Sequence, residues 1–217
     1  MKGIKRITRI FIPASIRKFI YRSIPKFHKV NTYVLTREKQ IKTLVPINEK
    51  FFIREVNKED IEELRKHESY RNPKAFEKKI IPRLNSPAWH GLAVIDRETR
   101  DIAYLAWVID KTIPYLQEFG IFLKPNEFLL KDGFCVPHYR HLGLHSRMEQ
   151  ERINYCVNRG ATAMYIQIHN PNKKGIKSVL DNGYRLVQQN IVIHWPIFNT
   201  YRALKGFLKK PFKHIVK

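Results

Sequence analysis

Cysteine and long apolar runs are scarce in this chain of 217 residues. The two cysteines, Cys135 and Cys156, follow no spacing pattern, which argues against a disulfide framework and against a structural zinc site. We therefore expect a reducing, cytoplasmic environment. The longest apolar run, residues 10–16, is interrupted by Pro13 and is too short to span a bilayer. No small-residue cleavage site follows it, so we expect no secretory signal.

Acidic residues are missing from both ends of the chain. Residues 1–37 contain ten Lys and Arg, residues 182–217 contain seven, and neither segment contains Asp or Glu. The two ends thus supply +17 of the formal net charge of +22, and the middle carries +5. This division predicts a basic N-terminal extension over 1–48, a domain over 49–196 and a basic C-terminal tail over 197–217. Such extensions favour an anionic partner, either a membrane or a nucleic acid.

Apolar residues recur near helical spacing among the basic residues of the N-terminal extension. This pattern predicts an amphipathic arm that lies peripherally on anionic membrane, at its inner face. A transit peptide has a similar composition and stays an alternative. Nucleic acid is the less favoured partner, because the chain has no RNP-like strand motif, zinc finger or recognisable helix-turn-helix. The apolar positions are Ile4, Ile7, Phe11, Ile16, Phe19 and Ile20.

The middle of the chain alternates between strand and helix patterns. A strand at 51–57 is followed by a helix capped by Asn57 and by a second helix that begins at Asn72. Next come a hairpin, "WHGLAVID" and "IAYLAWVID", and the strand "EFLLKDGFCV", in which Gly133 marks a possible bulge. A helix over 142–159, a strand, a short helix and a bent strand or strand pair complete the order. We predict a mixed α/β domain around one sheet.

The segment "CVPHYRHLGLHSRM" (135–148) contains an unusual strand-to-helix loop. A helix that begins near His141 leaves free backbone N–H groups at its start, and these donors with the helix dipole form an anion site. Gly143 allows a phosphate to approach the backbone, and Arg140 lies beside it. A basic turn without a ligand stays open as the alternative. His141, His145 and Glu149 could instead share a helix face, but no further motif supports a metal there, and we predict none.

This loop resembles the acyl-CoA loop of the GNAT acyltransferase superfamily, V-x-P-x-Y-R-x-x-G-x-G/A, with Val136 one position late. Downstream, "NKKGIKSVLDNGY" is similar to the family's N-x-x-A-I…G-F segment, with Gly175 in place of the alanine. The resemblance covers about 50–188, and its order of elements agrees with the order read from the patterns. It implies a mostly antiparallel mixed sheet flanked by helices. The matching residues are Pro137, Tyr139, Arg140, Gly143, Asn172, Ile176, Gly183 and Tyr184.

The resemblance also implies how acyl-CoA, with acetyl-CoA the expected donor, is held. Backbone N–H groups hold the diphosphate, the end of the strand pairs with the pantetheine amides, and Asn172 touches the CoA arm. Two positions depart from the family pattern: His145 replaces the last loop glycine, and Val179 replaces the tyrosine that often protonates the leaving thiolate. The implied diphosphate residues are Arg140, His141, Leu142, Gly143, Leu144, His145 and Ser146, and the pantetheine residues are Phe134, Cys135 and Val136.

Amide formation from a thioester needs a neutral amine, a stabilised oxyanion and a departing thiolate. Asp132 lies four residues before Val136, where many relatives carry a glutamate that takes the amine proton. It could equally be a solvent-facing residue of a turn-like "KDG". Glu127 is the reserve base and Glu118 a further one. A backbone N–H near Val136 is the expected oxyanion donor.

The acceptor is predicted to be a primary amine, on a small molecule or a lipid-linked one. Similarity to GNAT members of cell-surface glycan assembly favours an amino sugar, whereas polyamine, aminoglycoside and protein N-terminal acceptors stay open. The basic surface disfavours a cationic acceptor. The rival function is a catalytically weak or inactive protein of the acyltransferase fold that binds membrane or nucleic acid through its basic tails.

Overall fold

A single mixed sheet dominates the computed structural model, which describes residues 13, 16, 23–36, 46–118, 121–195 and 200–204. Its eight strands lie in the order β2-β3-β4-β5-β6-β1-β7-β8, and only β5 and β6 pair in parallel. The predicted fold class, a mostly antiparallel mixed sheet flanked by helices, is confirmed. The strands are β1 (Lys26–Thr36), β2 (Phe51–Glu55), β3 (Trp89–Asp96), β4 (Ile102–Ile109), β5 (Glu127–Cys135), β6 (Ala163–His169), β7 (Arg185–Trp195) and β8 (Thr200–Leu204).

Helices cover both faces of this sheet. They are α1 (Ile61–Ser69), α2 (Ile81–Leu84, after a π-helical turn Phe76–Ile80), α3 (Pro114–Glu118), α4 (Leu144–Asn158) and α5 (Lys173–Asp181). Apolar residues of α4 and α5 share a core with Tyr104 and Leu130, whereas α1 packs with the alternate residues Leu105 and Trp107. Side chains alternate along a strand, so α4 and α5 lie on one face and α1 with the π-helical turn on the other.

The start of α1 follows the predicted capping signal. Asn57 Oδ1 accepts the backbone N–H of Glu59 at 2.8 Å, and Asp60 Oδ2 accepts the N–H of Asn57 at 2.9 Å. This reciprocal pair is a capping box, and it satisfies donors that a helix start leaves without intrahelical partners. A short 3-10 turn, Lys58–Asp60, precedes α1.

The predicted boundaries of the domain need correction at both ends. Residues assigned to the N-terminal extension form β1, which pairs with β6 on one side and β7 on the other. Residues assigned to the C-terminal tail form β8, which pairs with β7. The uniform positive charge of the ends hid these strands, although Val30–Thr36 is rich in the β-branched and aromatic residues that strands prefer. Residues 1–12, 14–15, 17–22, 37–45, 197–199 and 205–217 of the predicted basic segments lie outside the described residues.

The strands β5 and β6 separate part-way along their length. Their parallel pairing ends at Leu130 and Ile166, although β5 continues through residues 131–135. On the other side of β5 the pairing skips from Trp107↔Lys131 to Leu105↔Phe134, so two residues oppose Ala106. One of the two, Asp132, has a φ of 53°, and the predicted bulge at Gly133 is confirmed. The separation leaves a gap between β5 and β6, hereafter the groove, where residues 131–135 of β5 have no partner strand on that side among the described residues.

Candidate functional site

The loop between β5 and α4 folds into a compact turn beside this groove. A short 3-10 turn, Pro137–Tyr139, follows the strand, and its Tyr139 hydroxyl donates to Asp96 Oδ2 at 3.0 Å. His141 and Gly143 then adopt left-handed backbone, with φ of 66° and 75°. Left-handed residues delay the start of α4 to Leu144, two residues later than the helix predicted over 142–159.

The backbone N–H groups of residues 141–146 have no acceptor in the described part of the chain. Alternating left- and right-handed residues turn such N–H groups toward a common point, which makes an anion-binding nest. The positive end of the 15-residue α4 dipole adds to it. A Cβ added to Gly143 would meet nothing within 4 Å, so the approach to the nest is open. This arrangement fits a phosphate or diphosphate group.

The open edge of β5 continues from the nest into the groove. Val136 donates its N–H to the Ala103 carbonyl at 3.0 Å, so its backbone pairs with β4. Hydrogen bonding alternates along an antiparallel pair, and Phe134 therefore also pairs toward β4 while Cys135 points away from it. Arg140 Nε donates to the Cys135 carbonyl at 3.3 Å. Of the three predicted pantetheine residues, only Cys135 presents its backbone to the groove.

His145 does not point at the nest. Its Nδ1 lies 2.7 Å from the Tyr104 hydroxyl and its Nε2 lies 3.3 Å from Ser178 Oγ, so the ring spans from β4 to α5. Burial lowers the pKa of His145. The other departure from the family pattern, Val179, is 3% exposed and belongs to the core. Val179 therefore has no proton to give to a leaving thiolate.

A buried ion pair lies beneath the groove, on the face of α4. Glu149 and Arg152 pair with side-chain exposures of 3% and 2%. The Tyr184 hydroxyl donates to Glu149 Oε1 at 3.1 Å, and Arg152 Nη1 lies 3.5 Å from the Lys131 carbonyl. Lys131 is the first residue of β5 beyond the last parallel pair, so the guanidinium occupies the point where the strands separate.

Asp132 lies among cations on the opposite face. Its carboxylate is 2.5 Å from Arg83 Nη2, 3.4 Å from Lys79 Nζ and 3.9 Å from Arg71 Nη2. Burial alone would raise the pKa of Asp132, but the charges of Arg83, Lys79 and Lys131 outweigh it and hold that pKa well below its usual range. A carboxylate with so low a pKa accepts a proton poorly. The structure therefore places the predicted base in an ion cluster that suits a structural role.

Comparison with known proteins rests on the structure alone. No protein-family model and no curated protein matches the sequence. The structure is similar to that of a functionally unknown conserved protein from Staphylococcus epidermidis, with a TM-score of 0.59 and 10% sequence identity. The match covers 84% of this chain and 67% of that protein's chain. A tandem GNAT protein from the clavulanic acid biosynthesis pathway matches 76% and 52%, with a TM-score of 0.59 and 9% identity. The chain has the GNAT fold.

Another GNAT structure, an aminoglycoside N-acetyltransferase in complex with CoA, matches 67% of this chain and 94% of its own, with a TM-score of 0.51 and 16% identity. The chain spans about half to two thirds of the length of the first two proteins. At these identities the likeness establishes the GNAT fold, and it confirms the fold implied by the sequence resemblance.

The reserve bases are not gathered at the groove of this GNAT fold. Glu127 lies in the paired part of β5, where its carboxylate accepts the Tyr165 hydroxyl at 3.2 Å and the Lys124 N–H at 3.0 Å. Asp132 lies five positions further along the strand, or about 16 Å away. The side chain of Glu118 lies outside the described residues.

The predicted contact of Asn172 with the CoA arm stays a prediction. Asn172 caps α5, because its Oδ1 accepts the N–H of Gly175 at 3.0 Å. A Cβ at Gly175 would lie 2.6 Å from Asn172 Nδ2, so in this chain the Asn172 side chain occupies the space that an alanine at position 175 would need.

The histidine row considered for a metal is not a row on one helix. His141 precedes α4, and Glu149 is paired with Arg152. Among the residues that the structure describes, no group of three or more His, Cys, Asp and Glu is arranged to hold a metal ion.

One residue near the site was missed in the sequence. His67 is 2% exposed, and its Nε2 donates to the Phe134 carbonyl at 3.3 Å. Burial lowers the pKa of His67 to about 4. His67 also lines a small pocket, open to solvent, beside Tyr70 and His138. Its only signal in the sequence is the i, i+3 spacing from Leu64, which places both on the buried face of α1.

Proposed function

We propose that this chain is an acyl-CoA-dependent N-acyltransferase that transfers an acyl group from acetyl-CoA or another acyl-CoA to a primary amine. One observation carries the proposal. The unpartnered N–H groups of residues 141–146 adjoin the open edge of β5. An anion site followed by a free strand edge suits a ligand with a diphosphate at one end and an amide-bearing arm at the other.

The residues present fit such a ligand. The nest and the α4 dipole bind the diphosphate, and Gly143 leaves room for it. The Cys135 N–H faces the groove and is the donor available to an amide or to a developing oxyanion, because Val136 donates to β4. Acyl-CoA supplies an activated thioester carbonyl. The protein supplies its orientation and a dry, shaped groove.

The acceptor is proposed to enter from the α1 and α2 face, where cations surround Asp132. Arg71 and Lys79 keep side-chain exposures of 34% and 22%, and both can meet an incoming ligand. A cationic lining favours an acceptor that carries a negative group over a polyamine. An amino-sugar intermediate with a phosphate, small or lipid-linked, is the first acceptor to test. Its amine would lose its proton to solvent, because Asp132 is a poor base.

Peripheral attachment to anionic membrane is part of the same proposal. Exposed Ile24 and Phe27 adjoin exposed Lys26 and Lys29 at the start of β1, a pairing of apolar and basic groups that suits a membrane surface. None of the described helices combines the length and apolar character needed to cross a bilayer.

A matched pair of glycine variants tests the anion site. Gly143 and Gly160 both have left-handed backbone and open surroundings, but Gly160 lies at the far end of α4. Gly143→Glu should abolish acetyl-CoA binding in calorimetry, because it places bulk and negative charge in the nest. Gly160→Glu carries the same backbone strain and charge and should bind like the parent. Equal binding by the two variants would show that the loop is not the CoA site.

A non-catalytic binding protein is the second candidate. The low pKa of Asp132 and the buried Val179 both favour it, since each removes an expected proton-transfer group. A screen of amine acceptors that reports release of free CoA separates the two functions. Turnover with any acceptor supports the enzyme, and binding of acetyl-CoA without turnover supports the binding protein.

A further inference from the structure

Three hydrogen-bonding side chains form a continuous chain over the groove. Tyr104 on β4 contacts His145 on α4 at 2.7 Å, and His145 contacts Ser178 on α5 at 3.3 Å. The three residues come from separate elements and meet only in the folded protein. Val179, the residue at the usual position of the acid, lies directly after Ser178 but is buried in the core.

The Tyr104 hydroxyl lies against the open part of β5. A Cβ added to Gly133 would come within 2.5 Å of that oxygen, so only glycine leaves the hydroxyl its place. Gly133 belongs to residues 131–135, which no longer pair with β6. A ligand that runs from the nest along this edge passes the Tyr104 hydroxyl before it reaches the point where the strands close.

The direction of the hydrogen bonds can reverse. Tyrosine and serine hydroxyls each donate and accept, and neutral histidine carries its proton on either nitrogen. When Nδ1 of His145 carries the proton, it donates to the Tyr104 oxygen and leaves the tyrosine hydrogen free for the groove. His145 keeps part of its surface in contact with solvent although its ring is partly buried, so solvent can exchange protons with it.

We propose that Tyr104 is the acid for the leaving thiolate and that His145 and Ser178 are positioning residues that resupply its proton. This inference rests on the proposed function. The C–S bond breaks with its electron pair on sulfur, and the Tyr104 proton moves to that sulfur. The tyrosine oxygen takes the proton of His145 Nδ1, and in the same relay Nε2 gains one from solvent through Ser178. Solvent in turn receives the proton lost by the acceptor amine.

Other features of the site agree with this role. Burial raises the pKa of Tyr104, so the hydroxyl stays protonated and releases its proton to sulfur only together with the transfer from His145. A donor that stays protonated can stabilise a thiolate by hydrogen bonding even before the proton moves. His145 takes the place of a loop glycine in the family pattern, and a glycine there could not make the hydrogen bond to Tyr104.

Binding of CoA and of desulfo-CoA, which lacks the sulfur, tests the assignment without an acceptor. Calorimetry is run below and above the ordinary thiol pKa of about 8.5. For the parent, the ratio of the affinity for CoA to the affinity for desulfo-CoA should be about tenfold larger at the higher pH. A hydrogen bond to a charged group is stronger than one to a neutral group. Tyr104→Phe should lose this gain. Tyr165→Phe removes another buried phenol, on the opposite face of the sheet from Tyr104, and should keep it.

Ser178→Ala provides a second test that still holds if the Tyr104→Phe variant fails to fold. It keeps the phenol and should retain CoA binding while part of the gain at high pH disappears. Full gain in Tyr104→Phe, or none in the parent, would overturn the role of Tyr104 and leave the proposed function standing. Failure of the parent to bind either ligand would instead overturn the proposed function itself.

Discussion

Replacing Asp132 by asparagine separates a structural from a catalytic role for this carboxylate. The variant keeps the shape of the side chain but removes the charge that faces Arg83, Lys79 and Arg71. Arg83 has a side-chain exposure of 10% and lies 2.5 Å from the carboxylate, which is 22% exposed. Loss of one partner from a buried pair costs about 3–5 kcal/mol, and the partial exposure of Asp132 points to about 3 kcal/mol. In a chain of this size that corresponds to a fall in Tm of about 6–12 °C.

Thermal unfolding followed by circular dichroism measures this difference, with Asp181→Asn as the control. Asp181 pairs with Lys177 at side-chain exposures of 59% and 77%, so its loss should cost at most about 0.5 kcal/mol. The folded-state pKa of Asp132 lies below its unfolded value of about 3.9, so its stabilisation is full above that value and fades as the pH falls. The gap between parent and variant should therefore shrink in acid. A variant as stable as the parent at neutral pH would refute the structural role.

Two further predictions concern pH and membrane. The folded-state pKa of His67 is about 4, below its ordinary value of 6.5, so protonation favours the unfolded chain. Stability should fall by up to about 3 kcal/mol as the pH drops from about 6.5 to 4, and His67→Gln should flatten this part of a denaturation-versus-pH curve. Sedimentation with liposomes should show binding that needs anionic lipid, weakens only in part with salt and falls when residues 1–22 and 205–217 are removed. Equal binding to neutral liposomes, or tight binding to RNA instead, would contradict the membrane proposal.

Local features were predictable from the sequence because their causes are local. The cap at Asn57, the bulge at Gly133 and the loop around Gly143 each depend on residues a few positions apart. The surroundings of Asp132 were not predictable. Arg83 lies 49 positions away, and the pairing that decides the proton affinity of the carboxylate arises only when α2 packs on the sheet.

The same limit applies to the contacts of His145. The sequence shows His145 where the family pattern has a glycine, but its partner Tyr104 lies 41 positions away, on the strand β4. The strand β1 was missed for a different reason. The basic composition of the N-terminal segment suggested an extension. Composition does not show that β1 pairs with a strand on each side.

The strand β1 lies between β6 and β7, so the sheet is complete only when the N-terminal end of the domain pairs with its C-terminal end. Strands β2 to β5 follow one another in sequence and can assemble from near neighbours, whereas β1 pairs with residues such as His169 and Ile193, more than a hundred positions later. Pairings between distant segments form slowly, because a long loop must close first. During synthesis, β1 would wait as an unpaired apolar segment until its partners emerged, so this stage is where a chaperone would matter most.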